Sequence, residues 1–413
     1  MLLRPLHHTF APAADRSYCM KTLHLLLRPW LWRHGSSGFD LTTKLRTTFH
    51  HDVTLFSSGR EALLALLQSL NIGPGDEVIV QAFTCVVVPN AITATGATPV
   101  FVDIEKDTLS LDPEEVAKMI KPQTKAIICQ HTFGIPAPLH ELRRLCDAHH
   151  IPLIEDCAHI IPDADGPADI GCIGDFVLLS FGRDKAISGI TGGAILSNQS
   201  DVSDRLHQLE ATAVDLPLIT IKRLLLYPLL YGVARPFYGM GIGKVFLKLC
   251  SILRLLPTIV TTQEKSGHQI TTLHRLPNAC AALALDQFEH LKAINDHRRA
   301  LTQFYLEQCA EHGWPVLHGI TSDLPLQKFP MFVAGAEKIR RDLKKKNIHL
   351  SDGWTGCVIC PAAVDPSALG YTDGDDPRAQ EVCDQIFSLP THPTMTLRDA
   401  KTLTDELHVH LHQ

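Results

Sequence analysis

The sequence has no overall basic field: 38 Lys and Arg against 44 Asp and Glu leave a formal charge of -6 over 413 residues. That argues against nucleic acid as the main partner and for a small-molecule substrate. It has no cysteine framework, since its 12 cysteines are scattered without regular spacing. The opening residues also lack the apolar core and small-residue cleavage site of a secretory signal, so a reducing cytoplasm is the expected compartment. The C-x-x-C at Cys357 and Cys360 has no second pair downstream and no His partners at zinc spacing, and no metal is expected there. The 23 histidines are dispersed; pairs such as His50-His51 and His149-His150 lack a matching ligand pair. No internal repeat is visible. What is present is an ordinary globular composition, 45% hydrophobic and 20% charged, at a length that suggests two domains.

From residue 52 onward, helix-like and strand-like segments alternate as an α/β fold requires. Gly59 to Leu70 places Ala62, Leu63, Leu66, Leu67 and Leu70 on one helical face, and Gly73-Pro74-Gly75-Asp76 ends it. Apolar, β-branched runs at Glu77 to Val80, Thr98 to Val102, Ala126 to Cys129 and Pro152 to Ile154 are separated by lengths suited to crossover helices, which predicts a mostly parallel sheet. Phe176 to Phe181 and Gly193 to Ser197 read as two more strands, with Lys185 on the polar turn between them. Pro277 suits the first residue of a long helix through Leu291. The organisation expected is an unassigned N-terminal arm (1–50), a large domain (51–300) and a smaller α+β domain (301–413). Met20 is a candidate alternative start.

Chemistry gathers at a few residues. Lys185 is an amine on a turn beside the sheet, and Asp156 ends an apolar strand, where ligands collect in open α/β sheets. Ser58-Gly59-Arg60 open a helix whose N–H groups can hold an anion. An ordinary helix cap at Ser58 would look the same from sequence.

Four segments together resemble the DegT/StrS-type nucleotide-sugar aminotransferases: S-S-G-R-E-A-L (Ser57 to Leu63), G-P-G-D-E-V-I-V (Gly73 to Val80), E-D-C-A-H (Glu155 to His159), and S-F-G-R-D-K (Ser180 to Lys185) followed by G-G-A-I (Gly192 to Ile195). S-L-P-T-H-P (Ser388 to Pro393) is similar to that family's closing signature. The resemblance implies a fold-type-I enzyme dependent on pyridoxal phosphate (PLP). Lys185 would form an imine with the cofactor aldehyde and shuttle a proton, and Asp156 would hold the ring nitrogen. Glu155 is the weaker candidate, because successive strand residues face opposite ways. Ser58, Gly59 and Ser180 would hold the phosphate. The implied reaction moves an amino group from glutamate or glutamine to a keto sugar on a nucleotide, in a homodimer with the site at the subunit interface. A noncatalytic protein on the same fold, or a PLP enzyme acting on a different carbonyl substrate, is the alternative.

The chain departs from the family pattern at several positions. Arg60 stands where many members have Thr, and its guanidinium is a substitute anion ligand. Cys85, two residues past Phe83, stands at the position of a ring-stacking aromatic, His159 replaces a common Gln near the cofactor, Thr191 replaces an acid, and Leu273 aligns with an asparagine that reaches the partner's phosphate. Gly239 to Lys244 is glycine-rich but follows no predicted strand, which excludes a phosphate loop. Finally, no acidic residue occurs between Asp215 and Glu264, while Lys222, Arg223, Arg235, Lys244, Lys248 and Arg254 punctuate apolar runs. This insert, 216–263, is too interrupted to span a bilayer. It is expected either to lie on an anionic membrane surface or to be an elaborated subunit interface or a covered helical pair.

Overall fold

A computed structural model describes residues 4–8, 10–167, 169–258, 261–267, 271–351 and 353–411. Its centre is a seven-stranded sheet of β1 (Asp52–Phe56), β2 (Glu77–Gln81), β3 (Thr98–Val102), β4 (Thr124–Gln130), β5 (Leu153–Cys157), β6 (Phe176–Ser180) and β7 (Gly193–Ser197), in the order β1-β7-β6-β5-β4-β2-β3. Every pair is parallel except those of β7, which runs antiparallel to β6 and β1. The strands read as continuous apolar runs because both faces are covered. Val78, Val80, Ala126 and Ile128 pack with the buried helix Gly59–Ser69, whereas their neighbours Ile79, Ile127 and Cys129 pack with Leu142 and Cys146 of Leu139–His149 on the other side.

Helices Val87–Ala94, Pro113–Met119 and Leu139–His149 make the expected crossovers. The connection from β5 to β6 is different: its described residues form turns and bends only, so this parallel step is a loop. The helix expected from Pro277 is two helices, Asn278–Glu289 and Leu291–His312, with Pro277 the extended cap residue before the first. Toward the C-terminus, β8 (Lys328–Phe332) pairs antiparallel with β9 (Ile386–Pro390), flanked by Ala336–Lys345, Pro377–Gln385 and Leu397–Leu411 around a core of Phe329, Met331, Leu343, Phe387 and Leu403 that runs on into Phe83 and Phe133 at the edge of the central sheet.

The N-terminal arm, left unassigned from sequence, is built into the fold. Leu6–His7 forms a short strand parallel to Ile348–His349, Asp15 caps the helix Arg16–Leu26, and Ser37–Phe49 is a second helix. The arm also clasps the closing signature: the His7 ring stacks on His392 with centroids 4.9 Å apart, and His392 Nε2 donates to the His7 carbonyl at 2.7 Å.

Burial holds His7, His159 and His392 well below the ordinary histidine value of 6.5, aided by neighbouring cations. The unfolded chain binds protons at these three sites near pH 6.5, and the native state does not. Their contribution to stability is therefore complete above that pH and is lost as pH falls below it, at roughly 4 kcal/mol per pH unit. Urea unfolding at stepped pH is expected to show this steep acid loss, and His392→Gln should flatten it by about 1.4 kcal/mol per unit. A flat profile through pH 6 would contradict the neutral, buried state of these rings.

Candidate active site

Asp156 lies near the end of β5, fully buried, with Oδ1 accepting the Ala158 N–H at 2.9 Å and its carbonyl accepting the His131 N–H at 3.2 Å. Burial raises its carboxyl, and the nearby Lys185 ammonium opposes that rise. Glu155 points to the other face, where its oxygens accept His131 Nε2 at 3.1 Å and the N–H groups of Gly171, Ile173 and Gly174. It organises the β5 to β6 loop and has no capacity left for a ligand.

Lys185 sits on the turn after β6, half-buried, and its charge acts on Asp156, His159 and Cys85, which places all four in one neighbourhood. The turn is braced from several directions. Arg298, buried and lowered by burial to about 10, donates to the Ala186 carbonyl at 3.0 Å and the Leu326 carbonyl at 3.4 Å. Gln327 donates to the Asp184 carbonyl, and Tyr18 of the N-terminal arm donates to the Ser188 carbonyl at 3.1 Å. Sequence reading missed these residues, which come from distant segments and carry no local pattern.

The helix start, Ser180 and the glycine pair converge beside this turn. Ser58 Oγ accepts the Glu61 N–H at 3.3 Å and so does cap the helix. A Cβ on Gly59 would lie 3.0 Å from Ser180 Oγ, and one on Gly193 only 2.5 Å from the Gly59 Cα. The cradle therefore requires glycine at 193, where the Cβ would run into backbone, and at 59 a Cβ would press on the Ser180 side chain. It offers helix N-terminal N–H groups and the Ser180 hydroxyl to one anion, which fits a phosphate ester. Arg60 ion-pairs with the buried Glu264, so an anion at Arg60 must compete with that carboxylate. Thr191 Oγ1 bonds the Ser57 carbonyl, and Leu273 packs against the apolar cluster that includes the Gly59–Ser69 helix.

Phe83 is fully buried, its ring 5.0 Å from Trp354 and 6.2 Å from Phe133, so it packs within an aromatic cluster beside the site. Phe133 stacks on His159 at 5.8 Å, and Lys328 lies over the Phe133 ring at 5.4 Å. His159 Nδ1 accepts the Phe133 N–H at 3.1 Å, which leaves the proton of this neutral ring on Nε2 as a donor. Cys85 is paired in register with Cys360; the hydrogen bond between their thiols, with Lys185 and Arg60 nearby, draws Cys85 down to about 6. The Cys357 and Cys360 pair is thus tied to the site through Cys360, which its spacing alone did not suggest. A cleft of about 700 Å³, lined by Asp76, Lys125, Arg143 and Asp175, lies at the opposite, N-terminal ends of the strands.

Residues 20–217 and 248–408 match the profile of the DegT/DnrJ/EryC1/StrS aminotransferase family. The chain belongs to that family. One relative, the GDP-perosamine synthase of Vibrio cholerae, is 38% identical over 161 residues, an alignment that spans 39% of this chain and 44% of that protein. The solved structure of NtdA from Bacillus subtilis with bound PMP superposes with a TM-score of 0.75 at 20% identity, covering 100% of this chain and 86% of that one. DesI in the presence of its TDP-sugar product gives 0.71 at 21% identity, covering 99% and 92%. At these identities the structures show a shared fold. As a DegT/DnrJ/EryC1/StrS family member, the chain has its expected cofactor residues Lys185, Asp156, Ser58, Gly59, His159 and Ser180 gathered at the C-terminal ends of the strands, where open α/β sheets bind ligands.

Proposed function

We propose that this protein is a PLP-dependent sugar aminotransferase. In this reading it transfers an amino group from glutamate or glutamine to a keto sugar carried on a nucleotide. The observation that carries the reading is the convergence of Lys185 and Asp156 beside the Gly59 and Ser180 cradle. When bound, PLP supplies an electron sink for the carbon that bears the reacting nitrogen. Lys185 Nζ would hold the cofactor, and as a free amine it would serve as the base and acid for the proton at the substrate carbon. Asp156 would hold the ring nitrogen in its protonated form, because a cation against this carboxylate would offset the burial that raises its pKa. Ser58, Gly59 and Ser180 hold the phosphate, Arg60 adds charge at that end once released from Glu264, and His159 donates through Nε2.

The working form in this proposal is a cytoplasmic homodimer whose partner subunit closes the site. A peripheral contact of the 216–263 insert with the membrane belongs to the same picture, and the surface concerned extends beyond that insert. The test is a visible absorption spectrum of protein incubated with PLP, before and after glutamate or glutamine is added. A protein-bound band that moves to shorter wavelength with one donor is expected. No bound band would favour a noncatalytic protein, and a band unmoved by either donor would favour a different reaction.

A further inference from the structure

The acid-free stretch 216–263 does not stand alone. Residues 16–39 also contain no Asp or Glu, while carrying Arg16, Lys21, Arg28 and Arg33. The fold brings these two segments together: the helix Leu218–Ala234 packs against both Arg16–Leu26 and Ile242–Ile252, with Tyr18, Leu25, Ile221, Leu225 and Tyr227 in one buried cluster. Among the described residues, every exposed large apolar side chain except Val214, Leu397 and Val409 lies in these two segments.

The pattern is ordered on Ile242–Ile252. Gly243, Leu247 and Cys250 face inward. Ile242, Val245, Leu249 and Ile252, at helical spacing, form an outward stripe whose members are 53–67% exposed, and Lys244 and Lys248 run along one flank of it. Leu23, Leu27 and Trp30 add exposed apolar groups from the arm. No helix is long and apolar enough among the described residues to cross a membrane.

We propose that these two segments form one docking surface for an anionic lipid bilayer, lying in the plane of its headgroups. The apolar stripe enters the acyl boundary and the basic side chains meet the lipid phosphates. Charge decides against a second copy of the chain. A two-fold interface sets a patch against itself; Lys21 is balanced by Asp286, but this patch would oppose the exposed Arg28, Lys222, Lys244, Lys248 and Arg254 with no acid of either segment to balance them. An anionic bilayer complements it. The family profile passes over residues 218–247, so the part of the surface that carries Ile242, Lys244 and Val245 lies outside the shared aminotransferase pattern, while the arm from Met20 onward and the end of the Ile242–Ile252 helix lie within it.

The experiment is flotation of the full-length, PLP-loaded protein with vesicles of phosphatidylcholine alone or mixed with phosphatidylglycerol, beside sizing chromatography. The protein should float with the anionic vesicles only, and less as salt rises. Lys244→Gln with Lys248→Gln should lower partitioning by roughly tenfold or more. Val245→Asp with Leu249→Asp, at positions already in solvent, should abolish flotation while leaving the oligomer and bound cofactor intact. No flotation of the unaltered protein with anionic vesicles at low salt overturns the proposal. So does dissociation of the oligomer by the aspartate pair, which would assign the stripe to a second copy.

Discussion

Lys185→Ala is expected to fold normally and to lose the donor half-reaction, with the rate falling by about ten-thousandfold or more. The two halves of that expectation rest on different observations. The turn is held by bonds to its backbone carbonyls, from Arg298 to Ala186, Gln327 to Asp184 and Tyr18 to Ser188, and none involves the Lys185 side chain. Removing a half-buried amine therefore leaves the braces in place. Among the described residues, Lys185 is the amine whose charge acts on Asp156, while Lys328 acts on His159, so removing Lys185 takes away the proton carrier placed beside that carboxylate. Thermal unfolding and the rate of spectral change with donor check the two halves. Turnover near the unaltered rate would show that Lys185 is not the working amine.

Asp156→Asn should separate stability from activity in the opposite direction. Burial raises this carboxyl above the ordinary aspartate value, so in the cofactor-free protein the ionised form is paid for in stability at neutral pH. The sign follows from the raised pKa: the native state binds this proton more tightly than the unfolded chain does. Its contribution is therefore greatest in acid and is lost as pH rises through the native value. Asparagine keeps an acceptor for the Ala158 N–H and removes the buried charge. Cofactor-free Asp156→Asn should thus be at least as stable as the unaltered protein at pH 7. Its transamination should fall by about a hundredfold or more, because the ring nitrogen loses its charge partner. Glu155→Gln should do the reverse, destabilising the loop that Glu155 holds through Gly171, Ile173 and Gly174. Measuring melting temperature and activity for both variants tests the two assignments together.

The parts of the site that sequence revealed are those in which local chemistry and local structure coincide. Asp156 ends an apolar run, Lys185 follows a strand and precedes a glycine pair, and Gly59 opens an amphipathic helix. Each is a residue whose surroundings are written within a few positions of it. Arg298, Lys328 and Trp354 become neighbours of the site only through the packing of the C-terminal segments onto the sheet, so no spacing marks them. The N-terminal arm was obscure for a different reason. The helix Arg16–Leu26 buries Tyr18 and Leu25 yet leaves Met20 and Leu23 in solvent, so its apolar residues do not fall on one face. The break at His290 was hidden because Leu291, Ile294 and Leu301 continue a buried helical spacing past it.

The measurement that tests the central claim most directly is borohydride reduction of the PLP-loaded protein followed by peptide mapping. The cofactor should be fixed on the peptide that contains Lys185, and Lys185→Ala should take up no label. Label on another lysine, with Lys185 unmodified, would contradict the account.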